Sequence, residues 1–178
     1  PYDFAMGGAG LDLSLPVGCN GSAISPGHTV MVDMCGNFTG YMTDMSRSYK
    51  VGEVGELAER AHRCSVEICH KIAQTARPGV AAKDLVALAE ATVAEAGLAD
   101  YFRGHKQKAG FIGHGVGIEI NELPVLSARS KDVLVEGNVI ALEPKFVIPG
   151  VGAVGIENTY AITATGTECL TNMPEELQ

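Results

Sequence analysis

Tryptophan is absent from the 178 residues, which removes a common anchor for stacking an aromatic ligand. Basic residues are scarce: 13 Lys and Arg stand against 21 Asp and Glu, a formal charge of −8. A nucleic-acid binder needs a basic face, so that class falls first. No apolar run approaches the roughly 20 residues needed to span a bilayer, and a membrane role falls with it. Pro1 to Gly10 holds neither a basic segment nor an apolar stretch, so the expected location is cytoplasmic. The five cysteines (Cys19, Cys35, Cys64, Cys69, Cys169) form no CxxC pair and suit reduced thiols. A GxSxG elbow, a P-loop, an HExxH pair and a strand-borne GxGxxG are all missing. The Asn37-Phe38-Thr39 sequon is expected to be idle, since no secretion signal is read in these residues.

What is present is core. At 46% hydrophobic, with mean hydropathy +0.14, the chain can bury one domain and is too apolar for disorder. Its first 25 residues, rich in Gly and Pro, read as irregular and as the remnant of a domain truncated at its N-terminal end. His28–Cys35 and the FTGYMTDMSRSYKV run read as two strands of a hairpin, with Gly36-Asn37 as turn residues. Leu57, Ala61, Cys64, Ile68 and Ile72 form one apolar stripe on a helix within Glu53–Arg77, ended by Pro78-Gly79. Lys83–Ala96 repeats the pattern, with Gly97 in the C′ position. Gly113 to Ser127 reads as loop or short strand. The final third returns to β structure, Asn138–Ile148 and Val151–Ala164 around Pro149-Gly150.

A short internal repeat marks the costly residues. Pro26-Gly27 leads through an apolar run to Asp33, and Glu136-Gly137 leads through another to Glu143. Each half then adds an acid on the returning strand, Asp44 and Glu157. A carboxylate in an apolar strand costs several kcal/mol unless it is paired or bound to metal. Arg47 and Lys145 are the only local basic residues, too few to neutralise four acids, whereas divalent cations would do so. His114, between Gly113 and Gly115, is presented to a site by backbone that can approach closely. His62 and His70 lie roughly 80° apart around their helix and share no ligand face. His28 and His105 read as exposed.

In order along the chain, VDMCGNFTGYMTDMSRSY, GFIGHGVGIEINELP, ALEPKF and GIENTYAIT resemble the pita-bread metallopeptidases. That superfamily includes methionine aminopeptidase, Xaa-Pro aminopeptidase, prolidase and creatinase, and the chain looks closest to the Xaa-Pro peptidase and creatinase-like branch. The resemblance spans roughly residues 11–172. It implies an α+β pita-bread fold: a curved antiparallel sheet, helices on one side, and pseudo-twofold halves. It places the five metal ligands of the family on Asp33, Asp44, His114, Glu143 and Glu157, holding two divalent ions (Mn, Co, Fe or Zn). It implies a metallopeptidase that cleaves short peptides with Pro after the scissile bond, through a hydroxide activated by both ions. Glu143 would manage its proton. A homodimer and an N-terminal partner domain absent from this chain are also implied.

Three positions depart from the family. Asn121, in Asn-Glu-Leu-Pro, stands where a second histidine is usual, and that makes it a candidate catalytic donor. Leu15 to Ile24 holds no histidine, and Gly155 stands where prolidases carry arginine. Two rival readings follow: a creatinase-like hydrolase that cleaves a C–N bond without metal, and a metal-binding homologue or scaffold with weakened catalysis.

Overall fold

The structure is a computed structural model that describes residues 21–105 and 108–178. The irregular opening as far as residue 20, Cys19, and most of the Leu15–Ile24 segment lie outside the described residues. Strand β1 (Thr29–Phe38) pairs with β2 (Tyr41–Lys50), helices α1 (Glu56–Thr75) and α2 (Ala82–Glu95) follow, and β3 (Phe111–Gly115) and β4 (Glu122–Ser127) come next. The last third forms β5 (Val139–Leu142), β6 (Phe146–Ile148), β7 (Gly152–Val154), β8 (Asn158–Ile162) and β9 (Thr167–Cys169). Every strand pairing is antiparallel, and the main sheet runs β4-β3-β5-β8-β9.

The hairpin turn differs from expectation. Gly36 and Asn37 continue β1, and the chain reverses at Thr39-Gly40, whose φ values are 52° and 93°. Two central residues with positive φ match the twist of the flanking strands. The Gly40 N–H donates to Asn37 Oδ1 at 3.2 Å, so the asparagine supports the turn from outside it. Both helices end where composition predicts, and Gly97 adopts φ 68° just past the α2 cap.

Alternation along β5 sorts its side chains. Ile140 and Leu142 join Ile68, Ile72, Leu85 and Val93 of the helices in one core, each with 2% exposure or less. Burying a residue of this size is worth about 1.5–3 kcal/mol, which is what holds the helices on this side of the sheet. The intervening residues face away. Ala141 pairs with His114 on β3 and with Thr159 on β8, so these three share the opposite face.

The hairpin joins this sheet through Ser46. Its N–H and carbonyl exchange bonds with the carbonyl and N–H of Glu157 at 3.4 and 3.1 Å. On the hairpin, Asp33 is paired with Ser46, and Asp44, two residues from Ser46, lies on the same face. In the main sheet Leu142 is paired with Asn158, which sets Glu143 and Glu157 opposite each other just beyond the ladder. Each half therefore contributes an acid from an outgoing and a returning segment, the expected pseudo-twofold arrangement.

Candidate metal centre

The four acids and His114 converge where the hairpin meets the main sheet. Glycine makes the approach possible at His114. A Cβ at Gly113 would collide with the Ala141 carbonyl, and one at Gly115 with the Leu123 carbonyl. His114 is 4% exposed, and its Nδ1 lies 3.0 Å from the Gly115 carbonyl oxygen. A carbonyl only accepts, so Nδ1 carries a proton and donates it. Nε2 is thereby turned to two carboxylates, Glu143 Oε1 at 3.3 Å and Asp44 Oδ2 at 3.7 Å. A bare nitrogen lone pair facing carboxylate oxygens is repulsive, and a proton, on Nε2 or on a facing carboxyl, or a metal ion relieves it.

The donor set fits such an ion. Asp44, His114 and Glu157 each offer one ligand atom, and these atoms lie within 4.8 Å of one another. Thr159 Oγ1 donates to the Asp44 carbonyl at 2.7 Å, and Ser46 Oγ donates to Glu157 Oε2 at 2.6 Å. The first holds the Asp44 backbone in place, and the second orients the Glu157 carboxylate before any ion arrives.

Two expectations about charge are corrected. Asp33 is not buried, since 55% of its side chain is exposed on the open face of β1. Lys145, counted from the sequence as insufficient, sits at the middle of the acids. Its Nζ lies 3.0 Å from Asp33 Oδ2, 3.0 Å from Glu143 Oε2 and 3.1 Å from Glu157 Oε2. Arg47 has another task. Its guanidinium donates to the carbonyls of Ser46, Glu157, Met173 and Pro174 and to Asn158 Oδ1.

These contacts set the titration of the cluster. Burial, helped by the charge of Asp33, pushes Asp44 up to about 6. Burial, with Glu143, Asp44 and Asp33 adding to it against the pull of Lys145, pushes Glu157 up to about 7. Burial also opposes ionisation of Glu143, but the bonds from His114 and Lys145 outweigh it and hold its pKa below the usual value. For Lys145, burial would lower the pKa; Glu143, Glu157 and Asp33 override it and push it up. His114 follows the same logic, with burial overcome by Glu143 and the Gly115 carbonyl. Carboxylates with opposed shifts in one cleft mark a site built for charge.

Asn121 and Glu122 line a cavity of about 300 Å³ beside His114, with Phe111, Leu123 and Val125 as apolar walls. His62 is buried and His70 exposed, and they contact different groups of one residue. His62 Nε2 meets the Glu175 carbonyl and His70 Nε2 the Glu175 carboxylate, both at 2.7 Å. His28 and His105 are exposed, as expected. At position 155, where the resemblance to prolidases implies an arginine, any side chain would be strained. Its φ is 142°, and a Cβ there would lie 2.9 Å from Ser65 Oγ and 3.2 Å from Lys145 Cα. Lys145 and Ser46 were missed as site residues. The signal for Lys145 was its place two residues after Glu143; nothing in the sequence pointed to Ser46.

A curved antiparallel sheet with helices on one face, and acids converging with one imidazole on the other, is the architecture of the pita-bread metallopeptidases. The chain belongs to metallopeptidase family M24, whose profile matches residues 7–164. It is 35% identical over 170 residues to an Xaa-Pro dipeptidase from Pyrococcus horikoshii, covering 95% of this chain and 47% of that protein. The crystal structure of the prolidase from Pyrococcus horikoshii superposes with a TM-score of 0.81 at 34% identity, covering 93% of this chain and 46% of that one. A methionine aminopeptidase from Thermotoga maritima superposes with a TM-score of 0.70 at 27% identity, over 87% of this chain and 68% of that one. The chain thus spans about half the length of the two dipeptidase-type relatives. Membership in the family implies a divalent-metal centre. Among the described residues, no helix is long and apolar enough to cross a membrane.

Proposed function

We propose that the protein is a metal-dependent hydrolase of short peptides, of the Xaa-Pro dipeptidase or aminopeptidase type. The observation that carries this reading is the Asp44–His114–Glu157 group, set beside a cavity of about 300 Å³. Asp33, Asp44, His114, Glu143 and Glu157 form the candidate ligand set, and oxygen donors with a single imidazole suit Mn, Fe, Co or Zn. A divalent ion bound there would polarise the scissile carbonyl and lower the pKa of water. The second ion implied by the resemblance finds Lys145 in its way.

The chain's own residues supply orientation and proton handling. Glu143, held below the usual carboxylate value, is ionised near neutrality, and Oε1, the oxygen that Lys145 does not hold, is the one that would accept a proton. The Nδ1–H bond to the Gly115 carbonyl fixes the His114 ring and aims Nε2 into the site. Asn121, on the cavity wall, can donate one amide hydrogen bond to a substrate carbonyl but cannot relay a proton. Phe111, Leu123 and Val125 give the apolar surface that a proline ring needs.

A homodimer and a cytoplasmic location belong to the same reading. Exposed Phe38 and Tyr41 at the hairpin tip support the first, and the free thiols of Cys35, Cys64, Cys69 and Cys169 agree with the second. The test is a screen of Xaa-Pro dipeptides, Met-Xaa dipeptides and creatine, before and after chelation and after Mn²⁺ is restored. Xaa-Pro cleavage that is lost with EDTA and regained with Mn²⁺ is expected. Creatine cleavage indifferent to EDTA would favour the metal-free rival.

A further inference from the structure

We infer that Lys145 is a built-in replacement for one of the two cations, so that this centre takes a single divalent ion. This inference rests on the reading of the cluster as a metal centre. An ammonium has three N–H donors and no acceptor. Lys145 donates to Asp33 Oδ2 and Glu157 Oε2 at 3.0 and 3.1 Å, and its ammonium forms a third ion pair with Glu143 Oε2 at 3.0 Å. An ion placed between the hairpin acid Asp33 and the two glutamates would need those same oxygens and that same space.

The other side of the cluster is different. There Glu143 turns its second oxygen, Oε1, to His114 Nε2, and Asp44 approaches that nitrogen as well. Asp44, His114 and Glu157 keep their ligand atoms within 4.8 Å of one another, a group that does not include Asp33. One ammonium and one divalent ion are thus provided with separate positions, and both touch the two glutamates or their immediate neighbours. In charge terms the four carboxylates exceed Lys145 by three, and one divalent ion leaves a single negative charge.

Lys145 cannot easily withdraw. Its side chain is 3% exposed, its carbonyl accepts from the Arg103 N–H at 2.9 Å, and Phe146 beside it is fully buried. Behind it, Gly155 brings a second stretch of backbone so close that an added Cβ would lie 3.2 Å from Lys145 Cα. The lysine backbone is therefore anchored in the fold, and its ammonium is held by the three carboxylates around it.

The test is Mn²⁺ stoichiometry on the full chain, measured by elemental analysis after equilibrium dialysis, with electron paramagnetic resonance for Mn–Mn coupling. Wild type and Lys145→Arg should bind one Mn²⁺ per chain and show no coupling. Lys145→Gly should bind two and show the coupled signal. Two ions in wild type would overturn the inference while sparing the metal centre, as would a well-folded Lys145→Gly that still binds one. If Lys145→Gly does not fold, the wild-type count decides alone: one supports the inference and two ends it. No binding by any variant at millimolar Mn²⁺ would instead overturn the underlying reading of a metal centre.

Discussion

Replacing Lys145 with methionine keeps the length of the side chain and removes its charge. In metal-free protein at about pH 8, the three carboxylates around Nζ then lose their shared cation. Asp33 is 55% exposed and water takes over for it, so its part of the cost is small. Glu143 and Glu157 are 11% and 2% exposed and have no such recourse. Removing one partner of a buried pair costs about 3–5 kcal/mol, and the two glutamates share one partner, so that range applies once. For a chain of this size the melting temperature should fall by roughly 6–20 °C. Thermal and urea denaturation of the chelated protein would read the loss directly. Mn²⁺ should return more stability to the variant than to wild type, because the variant has an uncompensated charge for it to neutralise. A loss under about 1 kcal/mol at this pH would refute the claim that the ammonium compensates the buried acids.

The pH dependence of the metal-free protein has a defined sign. Asp44 and Glu157 titrate near 6 and 7, above their ordinary values, so the folded chain takes up protons that the unfolded chain releases. That contribution is complete below their unfolded values and is lost as pH rises through 6 and 7; His114, also raised, acts in the same direction. Burial lowers the His62 pKa, which opposes this trend over the same range; with three raised groups against one lowered, denaturation midpoints should be higher at about pH 5 than at about pH 8, and equal or reversed midpoints would contradict that balance of shifts. Asn121→His should raise kcat on Xaa-Pro dipeptides and introduce an acid limb near pH 6.5. An unchanged rate at full metal loading would mean that position 121 is not the missing donor. Gly155→Ala should cost about 1–3 kcal/mol or more, because φ 142° strains any side chain and the new methyl meets Ser65 and Lys145; a neutral midpoint in urea would contradict the close packing.

Much of the fold was legible because its signals are local. The stripe from Leu57 to Ile72, the Pro78-Gly79 stop and Gly97 past the second helix act within a few residues, and the structure follows them. The hairpin turn was misplaced by three residues because Gly36-Asn37 and Thr39-Gly40 both offer turn chemistry, and only the pairing of Asp33 with Ser46 selects between them. Ordered motifs pointed to Asp44, His114, Glu143 and Glu157, which the fold brings together. The apolar neighbours of Asp33 predict a buried acid, yet a strand with one open face leaves it exposed. A count of charges undervalues Lys145. Its importance comes from a contact with Asp33 across 112 residues, and no local pattern encodes that. The pairing of His62 and His70 with Glu175 was invisible for the same reason.

The position of the bound cation decides whether this cluster is the metal centre. Crystals of the full chain equilibrated with Mn²⁺, measured at the manganese absorption edge, should give one anomalous peak in contact with Asp44, His114 and Glu157. Lys145 Nζ should still lie on Asp33, Glu143 and Glu157, at about the 3.0–3.1 Å seen here. A peak elsewhere, or none at saturating Mn²⁺, would contradict the assignment of this cluster as the metal centre.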